Sequence, residues 1–334
     1  MVVFNFSRGI VMKAEKKLTL FFASALVACA AAAQSTYPAK PVTMVVAFPP
    51  GGAADIIARV TQPYLQDVLK QPVIILNKAG AGGSLGTASV ATAAPDGYTV
   101  LMALTSIATN PEADRINGRK PAFELNQLQP IAQLSADPFV LMVRADSSYK
   151  TIQNLVEDAR KRPGSLTYGS SGNYGTSHVA TESLASAAGI KLLHVPYGGG
   201  APTLTALLGG QVDFVPFAPG VAIPHVKSGK LRPLATFGPT RLAALPDVPT
   251  LKEAGYDSQY LIITGVFVPA STPPQIASTL RNAFRAVAAN PEFRAKMETA
   301  GAPAAYLDAP EFSAAFDAEA QRLNVVLKRI GKIE

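Results

Sequence analysis

Residues 42–55 read Val-Thr-Met-Val-Val-Ala-Phe-Pro-Pro-Gly-Gly-Ala-Ala-Asp. The stretch 42–48 is an almost unbroken apolar run flanked by prolines, the pattern of a strand covered on both faces in a parallel sheet. Pro49-Pro50-Gly51-Gly52 stops it, and a helix is then predicted over 53–70, with Ile56, Ile57, Val60, Leu65 and Val68 forming the apolar stripe and Pro63 expected to kink it. A strand that turns through glycine into a helix is the repeating unit of a doubly wound α/β fold.

The same grammar continues in both directions along the chain. A second strand is predicted at 73–76, a loop at 80–83, a helix at 85–94, and a third strand at 98–103 after the turn Pro95-Asp96-Gly97. It restarts with a strand at 139–143, a helix at 152–161 closed by Pro163-Gly164, a strand at 166–169 and a helix at 176–188. Segments 192–196, 202–208 and 212–217 repeat it, and 261–268 is one more apolar strand. Amphipathic helices at 273–289 and 310–330 follow, with no further strand expected. The predicted fold is α/β and two-lobed, with doubly wound sheets and a hinge of two crossings, near Phe139 and near Ile263. Lobe 1 is expected to be 37–138 plus 264–334, and lobe 2 to be 139–263.

Upstream, Lys13, Lys16 and Lys17 precede a short apolar run over 18–28 and then small residues, the anatomy of a secretory signal, assigned to residues 1–36. The run is shorter than the roughly twenty apolar residues of a spanning helix. Ala31–Ala33 offers an ordinary cleavage site, which favours a free periplasmic protein. Leu26-Val27-Ala28-Cys29 offers the alternative of a lipoprotein anchored through Cys29, the single cysteine. Translation starts at either Met1 or Met12. The whole chain carries 30 basic and 23 acidic residues, and 1–36 hold four of the bases and one of the acids, so 26 minus 22 leaves +4 afterwards. That mild, scattered charge, with no Trp, gives no footprint for nucleic acid and suits small anions.

Three Gly-rich loops share a design: residues 49–53, 169–177 and 197–201 each end a strand and open a helix. Helix N-termini carry partial positive charge and free N–H groups, so each loop is either an anion seat or an ordinary βα turn. Thr176 and Ser177 either donate hydroxyls to a ligand or cap their helix. Asp55 either complements its helix dipole or reaches a ligand through water. Ser84, Thr105 and Ser106 fall in further cleft loops, and Asp213 enters a strand, where an inward acid would need a reason. His178, His194 and His225 are the only histidines and lack metal-ligand spacing, so no metal and no cofactor are expected. Gly82-Gly83-Ser84-Leu85-Gly86 matches G-x-S-x-G, but a nucleophile elbow puts its serine directly after the strand, and here a loop intervenes. The match reads as accidental, and no enzyme activity is expected.

Six segments in order carry a resemblance: Tyr37-Pro38-Ala39-Lys40-Pro41, 48–55, Gly80-Ala81-Gly82-Gly83, Ala94-Pro95-Asp96-Gly97-Tyr98, His194-Val195-Pro196-Tyr197-Gly198 and Leu245-Pro246-Asp247-Val248-Pro249-Thr250. Together they resemble the Bug family, the TctC-like receptors of tripartite tricarboxylate transporters, over nearly all of 37–330. The resemblance implies a Venus-flytrap solute-binding protein, expected to be monomeric. It would hold a small carboxylate (a di- or tricarboxylate, acidic amino acid or aromatic acid) and deliver it to large and small membrane permease subunits. A sensory co-receptor for a two-component system is the alternative. Carried over residue by residue, the implied ligand-binding positions are Ala53, Asp55, Ser84, Thr105, Ser106, Ser170, Thr176, Ser177, His178, Tyr197, Gly199, Gly200, Ala201 and Asp213. The chain departs from the family at Leu76-Asn77-Lys78-Ala79-Gly80, where Glu-Asn-Arg-Pro-Gly is usual, and near Ile263–Gly265, where a tryptophan is common.

Overall fold

The computed structural model describes residues 37–333, so the expected export signal, Cys29 and both candidate starts lie outside the described residues. The first sheet opens with β1 (Val42–Val46), α1 (Ala53–Leu69), β2 (Val73–Asn77), α2 (Ser84–Ala91) and β3 (Thr99–Leu104). Strand β1 pairs in parallel with both β2 and β3, which is why Met44, Val45 and Val46 are buried without alternation. Helix α1 covers this unit with Ala54, Ile57, Ala58, Thr61 and Leu65. Val68 from the expected stripe is exposed, and Pro63 sits inside the helix without ending it.

Beyond β3 the chain departs from a purely parallel pattern. After α3 (Asn110–Ile116) comes β4 (Leu128–Pro138), a strand that periodicity does not announce, because Leu-Gln-Pro-Ile-Ala-Gln-Leu-Ser-Ala-Asp-Pro mixes amides and prolines into its apolar positions. It is held by β10 (Leu261–Pro269), which lies between β3 and β4 and runs antiparallel to both. After α8 (Pro274–Ala289) and α9 (Pro291–Thr299), β11 (Ala304–Asp308) adds an edge strand on β4 before α10 (Ala309–Ile330). The expectation of no strand after 268 is therefore corrected: β11 is half-buried throughout and carries no alternation that would mark it. The sheet order is β11-β4-β10-β3-β1-β2.

The second sheet is built from β5 (Val140–Arg144), α4 (Ile152–Lys161), β6 (Thr167–Ser170), α5 (Thr176–Ala188), β7 (Leu193–Pro196), α6 (Gly200–Leu208), β8 (Phe214–Phe217), α7 (Pro219–Lys227) and β9 (Leu231–Thr236), in the order β7-β6-β8-β5-β9. Strand β6 is parallel to β7 and β8, whereas β5 is antiparallel to β8 and β9.

The chain passes from the first sheet to the second through Phe139 alone, since β4 ends at Pro138 and β5 begins at Val140. It returns between Thr236 and Leu261. The two passages are tied side by side, because Phe237 N donates to Phe139 O (2.9 Å) and Tyr260 N donates to Phe237 O (2.9 Å). Their rings pack together, Phe139 lying 6.3 Å from Phe237 and 5.6 Å from Tyr260. Near the return, Gly265 leaves room for Phe312: a Cβ there would come within 2.4 Å of the Phe312 ring. Among the described residues no helix is long and apolar enough to cross a membrane.

Candidate functional site

Two adjoining cavities open where the loops at the carboxyl ends of the two sheets meet. The inner one, of about 50 Å³, is lined by Phe48, Gly52, Ala53, Leu104, Phe139, Ser171, Thr176, Ser177, Gly200, Thr203, Val215, Pro216, Phe217, Ala218, Val221 and Ile262. Four helices begin on it: α1 after Gly52, α5 after Gly175, α6 after Gly199 and α7 after Ala218, and none of the four N-caps makes a side-chain cap hydrogen bond. The first-turn N–H groups of a helix have no partner within it, and its dipole adds about half a positive charge there. The inner pocket is thus electropositive without any formally charged side chain among its lining residues.

The outer cavity, of about 510 Å³, shares Phe48 and Ser171 with the inner one and extends along residues 80–85, Asn110, Asp114, Arg119, Lys120, Tyr174 and 196–199. Loops from the two sheets are close across this seam. A Cβ placed on Gly200 would lie 4.0 Å from Gly52 Cα, and one on Gly82 would lie 3.5 Å from Asn173 O. At Gly199, φ is +137° and a Cβ would fall 2.6 Å from Pro49 Cγ, so glycine is required there on both counts. Tyr174, with a φ of 56°, ties the seam from behind: its hydroxyl donates to Gly331 O (2.8 Å) and accepts from Asn117 Nδ2 (2.8 Å) and Ile333 N (3.1 Å).

Of the fourteen residues expected at the site, Ala53, Thr176, Ser177 and Gly200 line the inner pocket, and Ser84, Tyr197 and Gly199 line the outer cavity. Ala201 sits on the seam against Gly51. Five others line neither cavity and support the loops that do. The Asp55 carboxylate accepts from Gly51 N (2.9 Å), Arg59 Nε (2.8 Å) and Asn77 Nδ2 (2.9 Å), which fixes the 49–52 turn. Burial pushes Asp55 up, but those hydrogen bonds outweigh it and hold the carboxyl below its ordinary value. Thr105 Oγ1 donates to Leu261 O and accepts from Ile263 N (2.7 Å), clasping the returning strand, and Ser106 Oγ donates to Gly82 O.

Ser170 Oγ lies 2.6 Å from His194 Nε2, and His178 Nδ1 accepts from Tyr174 N (2.9 Å) while its ring stacks on that of His194 at 3.9 Å. Burial pushes His178 down to about 3, with His194 adding to the effect, and His194 down to about 4, so both imidazoles are neutral props. Asp213 is placed elsewhere altogether. It immediately precedes β8 at the end of the sheet opposite the cleft, where its carboxylate accepts from Thr167 N (2.7 Å) and Thr167 Oγ1 (2.8 Å). An acid that enters a strand is explained by that bridge between β8 and β6.

Sequence reasoning passed over Phe48, Phe139, Thr203, Phe217, Ala218 and Ile262. A signal existed for one of them: Ala218-Pro219-Gly220 follows an apolar strand and puts proline in the first turn, the mark of another helix start at a strand end. The aromatic walls read as core, and only the convergence of loops distinguishes them. Ser84 opens α2 after a turn of 3₁₀ helix at Ala81–Gly83, well past the end of β2, so it is not the nucleophile of an elbow. Among the described residues no group of three or more His, Cys, Asp or Glu could hold a metal ion.

The receptor family of tripartite tricarboxylate transporters matches residues 57–332. A Cupriavidus necator protein, the UPF0065 protein in the gbd 5' region, is 36% identical over 296 residues, 88% of this chain and 89% of that one. The periplasmic binding protein BugD superposes with a TM-score of 0.82 at 30% identity, over 89% of this chain and 100% of its own. A protein from R. palustris solved with adipate does so with a TM-score of 0.82 at 28% identity, over 87% and 97%. The two-lobed fold is that of periplasmic binding proteins, and the matching family and structural neighbours are solute receptors rather than enzymes: the chain is a member of the tripartite tricarboxylate transporter receptor family.

Proposed function

We propose that this receptor is exported to the periplasm, captures a small carboxylate in the interlobe cleft and delivers it to the membrane subunits of a tripartite tricarboxylate transporter. The observation that carries this reading is the meeting of four helix N-termini without side-chain caps on one pocket that has no cationic side chain. Such a pocket stabilises a negative group through N–H donors and dipoles alone. Three of the helices, α5, α6 and α7, come from one sheet's loops and α1 from the other's, so one carboxylate engages both lobes and favours closure about the paired passages at Phe139 and Phe237–Tyr260. The adipate-bound structural neighbour supports the ligand class.

The test is a thermal-shift screen of the purified protein against mono-, di- and tricarboxylates, aromatic acids and acidic amino acids, each beside its uncharged amide. A ligand at a hundred times its dissociation constant adds about 2.7 kcal/mol, enough for a shift of several degrees. Stabilisation by one acid class, lost with the amides, is the expected outcome. Stabilisation by neutral compounds alone would refute the anion-seat account.

A further inference from the structure

Behind the inner pocket lies an acid that the ligand grip does not use. Asp137 is 6% exposed and lines a space of about 10 Å³ that shares Ala53, Ala218 and Ile262 with that pocket. Such a space is at or below what a single water needs, so the carboxyl is enclosed without solvent.

Both sheets contribute to this enclosure. Asp137 faces Ile262 across the β4–β10 pairing, the first turns of α1 close one side, and Ala218 and Gly220 bring the start of α7 from the second sheet. The seam is tight, since a Cβ on Gly301 would fall 2.8 Å from Gly220 Cα. Thr264 lines the same space, and its hydroxyl is buried without a hydrogen-bond partner.

No cation faces the carboxyl from any element packed on it. Strand β10 and residues 300–302 carry no ionisable side chain, and β4 carries only Asp137. On α1, Arg59 is bound to Asp55, which is held by the 49–52 turn, and Asp67 is exposed near the far end. His225 and Lys227 belong to the last turn of α7, and Lys296 and Glu298 on α9 are exposed. What Asp137 meets is the partial positive charge at the starts of α1 and α7. A ligand carboxylate in the inner pocket draws on those same two helix starts. Two carboxylates that share one dry site without a cation repel, and one of them binds a proton.

We infer that capture of an anionic ligand takes up one proton at Asp137, so that acid and proton are bound together and released together. This rests on the preceding proposal that the inner pocket holds a carboxylate. The direction of the pH effect follows from burial, which already raises Asp137 to about 7, and a neighbouring anion raises it further. Below about pH 6 the carboxyl is protonated before the ligand arrives and nothing is taken up, whereas above about pH 7 capture must draw a proton from solution and weakens as pH rises.

The test is calorimetry of the purified protein between about pH 5.5 and about pH 8, in buffers of different ionisation heat, which counts protons per ligand bound. The probes are acetate, succinate, citrate, glutamate and benzoate. For the probes that bind, uptake is expected to rise from near zero at the acid end toward one at the alkaline end, with the dissociation constant increasing by up to about tenfold per pH unit above 7. Asp137→Asn is expected to remove the uptake, and its difference from wild type cancels each probe's own titration. A second readout needs no variant: in carbon-13 spectra of the wild-type aspartate carboxyls, one titration midpoint near 7 moves up when the probe saturates the protein. Binding without proton uptake in the wild type, or uptake that persists in Asp137→Asn, overturns the inference and leaves the carboxylate seat standing. Failure of every probe to bind overturns both.

Discussion

Asp137 gives the sharpest quantitative test of how this cleft region is built. It lies on β4 opposite Ile262, two residues before the passage at Phe139, in a tight space lined by Ala53, Ile56, Ile57, Ala218, Gly220, Thr264 and residues 300–302. It is the only ionisable side chain in that lining. Burial pushes its carboxyl from 3.8 up to about 7. A carboxyl raised on folding binds its proton more tightly in the native state than in the unfolded chain. Stability from this group is therefore fully present below pH 3.8 and is lost progressively as pH rises through 7. About three pH units at 1.36 kcal/mol each make the loss roughly 4 kcal/mol above pH 7.

Asp137→Asn keeps the shape and removes the titration. It is expected to melt roughly 5–10 °C above wild type at pH 8, at about 2 °C per kcal/mol for a chain of this size, and to match wild type within about 1 °C at pH 4. Melting curves for both proteins across pH 4 to 8 measure this directly. Taking the difference between them removes every other titrating group. A gap that does not grow with pH, or a variant less stable at pH 8, would refute the reasoning that an uncompensated buried carboxylate sits between β4 and α7.

The stacked histidines titrate with the opposite sign. Lowered to about 3 and about 4, His178 and His194 stay neutral in the folded protein, so the stability they support is present above 6.5 and falls as pH drops toward 4, by about 2 kcal/mol for each imidazole at pH 5. His194→Gln is expected to flatten the fall in melting temperature between pH 7 and 5, and an unchanged slope would count against it. Asp55→Ala leaves the Gly51 N–H, Asn77 and Arg59 without their acceptor and should cost about 2–4 kcal/mol in chemical denaturation, with weaker ligand binding because the 49–52 turn loosens. Gly200→Val directs methyl groups at Gly52 across the seam, so calorimetry should show ligand affinity down at least tenfold while the unliganded melting point moves only about 2 °C. Equal losses of both would place the effect in the lobe's own packing. Tyr174→Phe removes the hydroxyl shared by Asn117, Gly331 and Ile333; faster ligand release in stopped-flow measurements is expected, and an unchanged off-rate would remove that clasp from the closing step.

The strands and helices that carry their own periodicity were legible in the sequence: β1 with α1, and the 139–217 stretch, appear within a residue or three of where the apolar pattern places them. Strands β4 and β11 were not, because each is made by its neighbour. Gln129, Pro130, Gln133 and Asp137 form a strand through pairing with β10, and nothing local demands it. At the candidate site, Gly-rich turns pointed to loops that line the two cavities, since glycine is what a close approach requires. Which residue of a loop faces inward depends on the helix phase and on the opposite lobe, and a linear sequence holds neither. Thus Ser177 and Gly200 reach the pocket, while His178 and Ala201, one position on, do not. Asp213 stands out in sequence as an acid entering a strand, and the partner that explains it, Thr167, lies 46 residues away in sequence on the neighbouring strand.

The absence of charged side chains from the inner pocket has a consequence for how such receptors diversify. A main-chain N–H is encoded by no particular codon, and among the standard residues only proline deletes it. Mutation can therefore redraw the walls at Phe48, Leu85 or Tyr197 freely while a grip made by main-chain N–H groups is inherited intact. Gene duplication from such an ancestor begins with binding already secured, and drift among the wall residues supplies new diets for the cell without an inactive intermediate.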